Sequence, residues 1–147
     1  MRLAVSACLL GEPCRYDGSA APSAAVAALG ERHGLVPVCP ERAGGLPVPR
    51  PPAEIVSADP VRVADAEGHD LTDAFVAGAR ACLDEALAAG CAGAVLKARS
   101  PSCGSGRVYD GTFSGALVPG WGVAAALFRD AGLTVADEDA DFASLGW

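Results

Sequence analysis

Lysine is nearly absent: Lys97 stands alone against ten arginines, and acidic residues outnumber both, leaving a formal charge of -7 and a pI near 4.6. That balance lacks the basic face that a nucleic-acid polymer or an anionic membrane rewards, so a small-molecule partner is expected. Aromatic residues make up 5% of the chain, and no apolar run reaches the length of a membrane span. Among the six cysteines there is no CxxC, no CxxxCxxC and no zinc-finger Cys/His spacing, which excludes the common short metal motifs. No GxGxxG marks a dinucleotide site. The two histidines, His33 at the end of one expected helix and His69 ahead of another, read as solvated surface residues and not as ligands. Val5-Ser6-Ala7-Cys8 ends like a lipoprotein signal, but the apolar segment before it is far too short, so a cytoplasmic protein is expected. In that reducing compartment six cysteines stay as thiols or bind metal sooner than they form disulfides.

What is present is a chain of 147 residues, 51% hydrophobic, with a mean hydropathy of +0.30, enough for one domain spanning 1–147 with a real core. Apolar runs alternate with helical patterns, which favours an α/β fold: a single-domain Rossmann-like or flavodoxin-like sandwich with a mainly parallel sheet covered on both faces. Strands are expected over 2–6, 35–38, 92–96 and 133–135, and helices over 22–32, 70–89 and 122–131. Pro22 suits the first turn of the first helix, Asp70 or Thr72 caps the second, and Gly90 follows its end. Residues 40–52, stiffened by prolines at 47, 49, 51 and 52, read as an irregular loop. A short edge hairpin is expected around Val56 and 61–63, residues 100–115 read as a loop, and the chain closes in an acidic tail.

The cysteines sort by position. Cys8, Cys39 and Cys103 each follow a short apolar run and sit in a Gly- or Pro-rich loop. If those runs are parallel strands, the three thiols gather along the carboxyl ends of the sheet, where open α/β folds place their ligands. They look like a metal or iron–sulfur site; the competing reading is chance placement of small buried residues. Cys82 shares a helical stripe with Phe75, Ala79 and Ala86, and Cys91 opens a buried strand, so both read as core. Cys14, in a loop with Gly11, Pro13 and Gly18, is placed beside the site and not on the metal.

Around these thiols, Glu41 is the candidate acid/base, because the Val-Cys-Pro-Glu turn aims it at the same place; a plain surface carboxylate is the alternative. Ser100 and Ser102 flank Pro101 just before Cys103, where they offer hydroxyls to a substrate or simply cap a turn. Arg15, Arg50 and Arg99 lie in or beside the cysteine loops, suited to a planar acceptor or a phosphate.

SACLLGEPCRYDG, VPVCPE, GGLPVPRPPAEI, LKARSPSCG and YDGTFSG, in this order and followed by a helix opening at GWGV, resemble a small bacterial domain family long catalogued without a function and now associated with thiouracil desulfidases. The likeness covers nearly the whole chain, and Ala124 departs from it where a threonine is expected. It implies an enzyme in which Cys8, Cys39 and Cys103 hold a 4Fe-4S cluster whose fourth iron has no protein ligand, and Glu41 moves protons. Sulfur would leave a thiolated pyrimidine base or nucleotide and oxygen replace it, a non-redox C–S cleavage of hydrolase or lyase type. Two readings from other classes stand beside it: a non-catalytic iron–sulfur or zinc protein, and a metal-free carrier working through a persulfide on Cys14 or Cys8. Nothing in the sequence sets an oligomeric state.

Overall fold

Leu3, Ala4 and Val5 are entirely buried in β1 (Arg2–Ser6), the mark of a strand covered on both faces. The computed structural model, which describes residues 1–147, shows why. β1 runs parallel to β2 (Gly34–Val38) on one side and to β5 (Cys91–Val95) on the other, and β5 runs parallel to β8 (Thr134–Ala136). The order is β2-β1-β5-β8, so the expected mainly parallel α/β sandwich is present. Alternation along the strands sends Leu3, Val5 and Val95 to one face, against Val26, Leu29 and Trp147. Ala4, Ala94 and Leu96 meet Cys82, Ala86 and Phe128 on the other. Each fully buried Leu, Val or Phe side chain contributes roughly 1.5–3 kcal/mol, so these two layers carry the fold.

Helices arise where their caps allow. α1 is shorter than its alanine-rich pattern suggests, Ala24–Ala28 instead of 22–32; Ser23 caps it by accepting the Val26 N–H at 3.3 Å, and its end tightens into a 3-10 turn at Leu29–Glu31. α3 (Thr72–Ala88) starts beside Asp70, whose Oδ1 accepts the Thr72 N–H at 2.9 Å, and Gly90 follows at φ 75°. α4 (Val123–Asp130) matches its expected span within a residue at each end.

Three stretches differ from expectation. The 40–52 loop begins with one helical turn, α2 (Pro40–Ala43), packed backbone to backbone on α3: a Cβ on Gly78 would stand 1.8 Å from the Pro40 carbonyl oxygen. The hairpin β3 (Ala53–Ala58) and β4 (Val61–Asp65) is not an edge of the main sheet but a separate two-stranded one. A second hairpin, β6 (Ser105–Tyr109) with β7 (Leu117–Trp121), occupies part of the stretch read as loop. Ser105, Gly106, Pro119 and Gly120 are poor strand formers, and pairing overrides them. The acidic tail is not merely solvated either. Trp147 is buried and stacks on Phe142 at 6.3 Å, and its carbonyl accepts a bond from Arg32 at 3.1 Å. No helix is long and apolar enough to cross a membrane.

Candidate active site at the strand ends

β1 ends at Ser6 and turns at once into a 3-10 turn, Ala7–Leu10, closed by Gly11 at φ 98°; this sets Cys8 at the strand's carboxyl end. β2 ends into Cys39, which is the cap residue of α2, so the Gly78 approach that seats α2 also seats this thiol. After β5 the chain crosses 97–102 to Cys103, where Ser100 Oγ accepts the N–H groups of Ser102 and Cys103, each at 3.1 Å. Three strand ends thereby meet in one cavity of about 510 Å³. Cys8, Cys14, Cys39, Cys103, Glu41, Ser100, Arg15, Arg50 and Arg99 all line it, at the point where strand order reverses about β1.

Two expected residues behave otherwise. Ser102 does not line the cavity: it is 1% exposed, and its hydroxyl has no hydrogen-bond partner. Ser100 lines the cavity, but its oxygen also holds the turn, so it fits both of its sequence readings. Cys82 and Cys91 lie outside the cavity among core side chains, as expected, though the Cys39 N–H points at the Cys82 sulfur from above.

The thiols are electrostatically unusual. Burial pushes Cys103 up to about 12, while the hydroxyls of Ser6 and Ser102 favour its thiolate; Cys8 and Cys39 oppose them. Burial raises Cys8 too, against the pull of Lys97 and Arg15, and raises Cys14, with the neighbouring Cys39 adding to the rise. Thiols so placed hold their protons until a soft cation replaces them. The donor set fits an iron–sulfur cluster: three thiols from three strand ends, a buried hydroxyl next to one of them with no hydrogen-bond partner, and Arg15, Arg50, Lys97 and Arg99 around the cavity to balance negative charge.

Glu41 and Arg50 form an ion pair, with side chains 17% and 5% exposed, and Arg50 also donates to the Pro47 carbonyl at 3.0 Å. Burial pulls Arg50 below its usual value while Cys39 and Cys14 work the other way. Arg50 therefore orients Glu41 before it is available to any ligand. Lys97 is held by Glu138 at 2.8 Å, and Glu138 Oε1 accepts the Ala98 N–H at 2.7 Å. Burial raises Glu138, but those bonds outweigh it and hold the carboxyl below the usual range. Sequence reasoning passed over Lys97 as a site residue, although its being the sole lysine, at the end of a strand, was a signal. Glu54, Tyr16, Tyr109 and Phe113 also line the cavity and were not anticipated. Arg99 and Phe113 are the two non-glycine residues with positive φ, 66° and 57°, and both are on its wall. Such outliers concentrate where structure over-determines a functional surface.

A sequence profile of the family described as 2-thiouracil desulfurase matches residues 3–140. A Bacillus subtilis (strain 168) protein, carried as uncharacterized protein YbbK, is 41% identical over 142 residues, 92% of this chain and 94% of that one. A solved structure titled 4Fe-4S-dependent thiouracil desulfidase TudS is 44% identical and superposes with a TM-score of 0.89, over 99% of this chain and 96% of that one.

Proposed function

The chain belongs to the 2-thiouracil desulfurase family, and from that premise we propose that it is an iron–sulfur-dependent desulfidase replacing the thiocarbonyl sulfur of thiouracil-type pyrimidines, free or as nucleotides, with oxygen. The observation that carries this reading is the convergence of Cys8, Cys39 and Cys103, from three strand ends, on one cavity that also holds a carboxylate. When bound by these three thiolates, a 4Fe-4S cluster with one iron free of protein ligands supplies a soft Lewis acid with affinity for sulfur over oxygen.

The residues supply the rest. Glu41, fixed by Arg50, takes the two protons of the water that attacks the thiocarbonyl carbon, one after the other, and delivers each to the departing sulfur, so that thiocarbonyl and water become carbonyl and hydrogen sulfide. No electrons are transferred in that balance, which makes the reaction a non-redox cleavage. Ser102 is buried away from substrate; Ser100, whose oxygen already accepts two backbone bonds, keeps a hydroxyl proton to donate into the cavity. Arg15 and Arg99 offer donors to ring oxygens or a nucleotide phosphate. Cys14 stands beside Cys39 without serving as a ligand. The acidic, single-domain chain acts on a small molecule in the cytoplasm, not on a nucleic-acid polymer or a membrane.

Anaerobic incubation of cluster-loaded protein with 2-thiouracil, 4-thiouracil and 4-thiouridine monophosphate, following loss of thiocarbonyl absorbance, tests the reading. Turnover of at least one is expected. Failure on all three by protein with an intact cluster rejects it in favour of cluster storage or sensing.

A further inference from the structure

The thiols, Glu41 and the arginines leave a second carboxylate on the cavity wall without a role. Glu54, on β3, is 8% exposed and forms no ion pair. Its Oε1 accepts the N–H of Gly111 at 2.9 Å and of Phe113 at 3.2 Å, both in the turn between β6 and β7. Its Oε2 makes no hydrogen bond, yet the buried side-chain polar atoms without partners are only His33 Nε2 and Ser102 Oγ. Oε2 is therefore open, and Glu54 lines the cavity.

The turn that Glu54 grips is built to present an aromatic face. Phe113 has φ 57°, a conformation bulky side chains seldom adopt, and it lines the cavity while 37% exposed. Asp110 Oδ1 braces the turn by accepting the Thr112 N–H at 2.9 Å and its hydroxyl at 2.6 Å. A Cβ on Gly111 would stand 2.7 Å from the Ile55 carbonyl oxygen, so the turn rests directly on β3 beside Glu54. A carboxylate oxygen and an aromatic face in one cavity suit a flat ring with N–H donors on its edge.

We propose that Glu54 is a substrate-positioning residue: Oε1 pins the Phe113 turn, Oε2 accepts a ring N–H of the pyrimidine, and Phe113 covers the face of that ring. The identity of the ring rests on the desulfidase reading. The consequence is selection for rings whose nitrogens carry hydrogen.

Equilibrium dialysis of cluster-loaded protein with uracil and with 1,3-dimethyluracil, neither of which can be turned over, tests this. Glu54→Gln keeps one acceptor oxygen for the turn but puts an amide toward the ring. It is expected to weaken uracil binding about tenfold or more, to leave binding of 1,3-dimethyluracil unchanged, and to leave hydrogen exchange at Gly111 and Phe113 as in the wild type. Phe113→Ala is expected to weaken both ligands about tenfold, through lost stacking. Glu54→Ala should speed exchange at both amides. Wild type should prefer uracil over the dimethyl ring by about tenfold. Equal binding of the two rings by wild type overturns the proposal, as does unaltered uracil affinity in Glu54→Gln, or fast turn exchange there with both ligands weakened alike. Wild type that binds uracil with this selectivity but turns over no thiouracil would sink the desulfidase reading alone.

Discussion

The floor and the roof of the cavity are held by different forces. The floor is the end of a four-stranded parallel sheet whose inner strand β1 is buried from Leu3 to Ser6, clamped between two apolar layers. The roof is two hairpins, β3-β4 and β6-β7, each a two-stranded sheet that would be marginal alone. They meet through the bonds of Glu54 and the seating of Gly111 on Ile55, while a bridge between Arg99 and Val108 ties β6 to the segment that follows β5. The thiols belong to the floor, where hydrophobic burial sets their positions rigidly. The second carboxylate and the aromatic belong to the roof: β3-β4 is seated by a smaller apolar cluster, Val63 with Phe75, Ala79, Val123 and Ala124, while the β6-β7 turn rests on a few polar contacts, the kind of region that opens locally at low cost. On the proposed reading, metal geometry and substrate recognition fall to regions of unequal stiffness.

The largest effect that tests this division comes from the floor. Cys8→Ser, Cys39→Ser and Cys103→Ser should each abolish iron binding and activity, while Cys91→Ser, outside the cavity, should retain both. Iron content and visible absorption of anaerobically purified variants decide it, and a folded Cys91→Ser protein without iron beside an iron-loaded Cys39→Ser would reverse the assignment.

Next comes Glu41, which Arg50 holds from the loop ahead of β3. Glu41→Gln should preserve the cluster spectrum and lower kcat about a hundredfold or more. Loss of iron together with activity would make it a structural residue instead.

A paired experiment sharpens the contrast itself. Gly78→Ala forces α2 off α3 and should lower the global denaturant midpoint by about 1–3 kcal/mol of stability, with reduced iron occupancy, because Cys39 moves with α2. Gly111→Ala, at φ 89° and against Ile55, should instead speed hydrogen exchange across 105–121 and raise KM while leaving the global midpoint and the iron nearly unchanged. Equal effects from both would mean that floor and roof unfold as one unit.

The smallest effect concerns Glu138. Its folded pKa lies below the ordinary 4.5, so its stabilising contribution is complete above that value and is lost as pH falls through the lower, folded one. The stability gap between wild type and Glu138→Gln, read from denaturant midpoints, should be present at neutral pH and close in that acidic window. A gap independent of pH would show that charge plays no part.

What could be read in the sequence follows the same division. The strand ends bearing Cys8, Cys39 and Cys103 were visible because burial writes continuous apolar runs bounded by Gly and Pro, and Cys82 was separable because helical spacing aligned it with Phe75 and Ala79. β6 and β7 were invisible because their pairing prevails over Ser105, Gly106 and Pro119, none of which announces a strand. α2 was hidden because its cause is a close approach to Gly78, a residue far along the chain. The ion pair of Glu41 with Arg50 and that of Lys97 with Glu138 depend on how loops return to the cavity, which local pattern does not encode. Ser102 was misplaced by one step of a turn: Ser100 faces the cavity and Ser102 faces inward.

The lone lysine has a practical corollary. Apart from the α-amino group of Met1, Lys97 Nζ is the one aliphatic amine in the chain, and it sits on the cavity wall, 16% exposed and engaged by Glu138. An amine-selective reagent therefore has a single side-chain amine to label, and the fraction labelled, read as one mass increment on one arginine-bounded peptide, becomes a gauge of whether the cavity is filled.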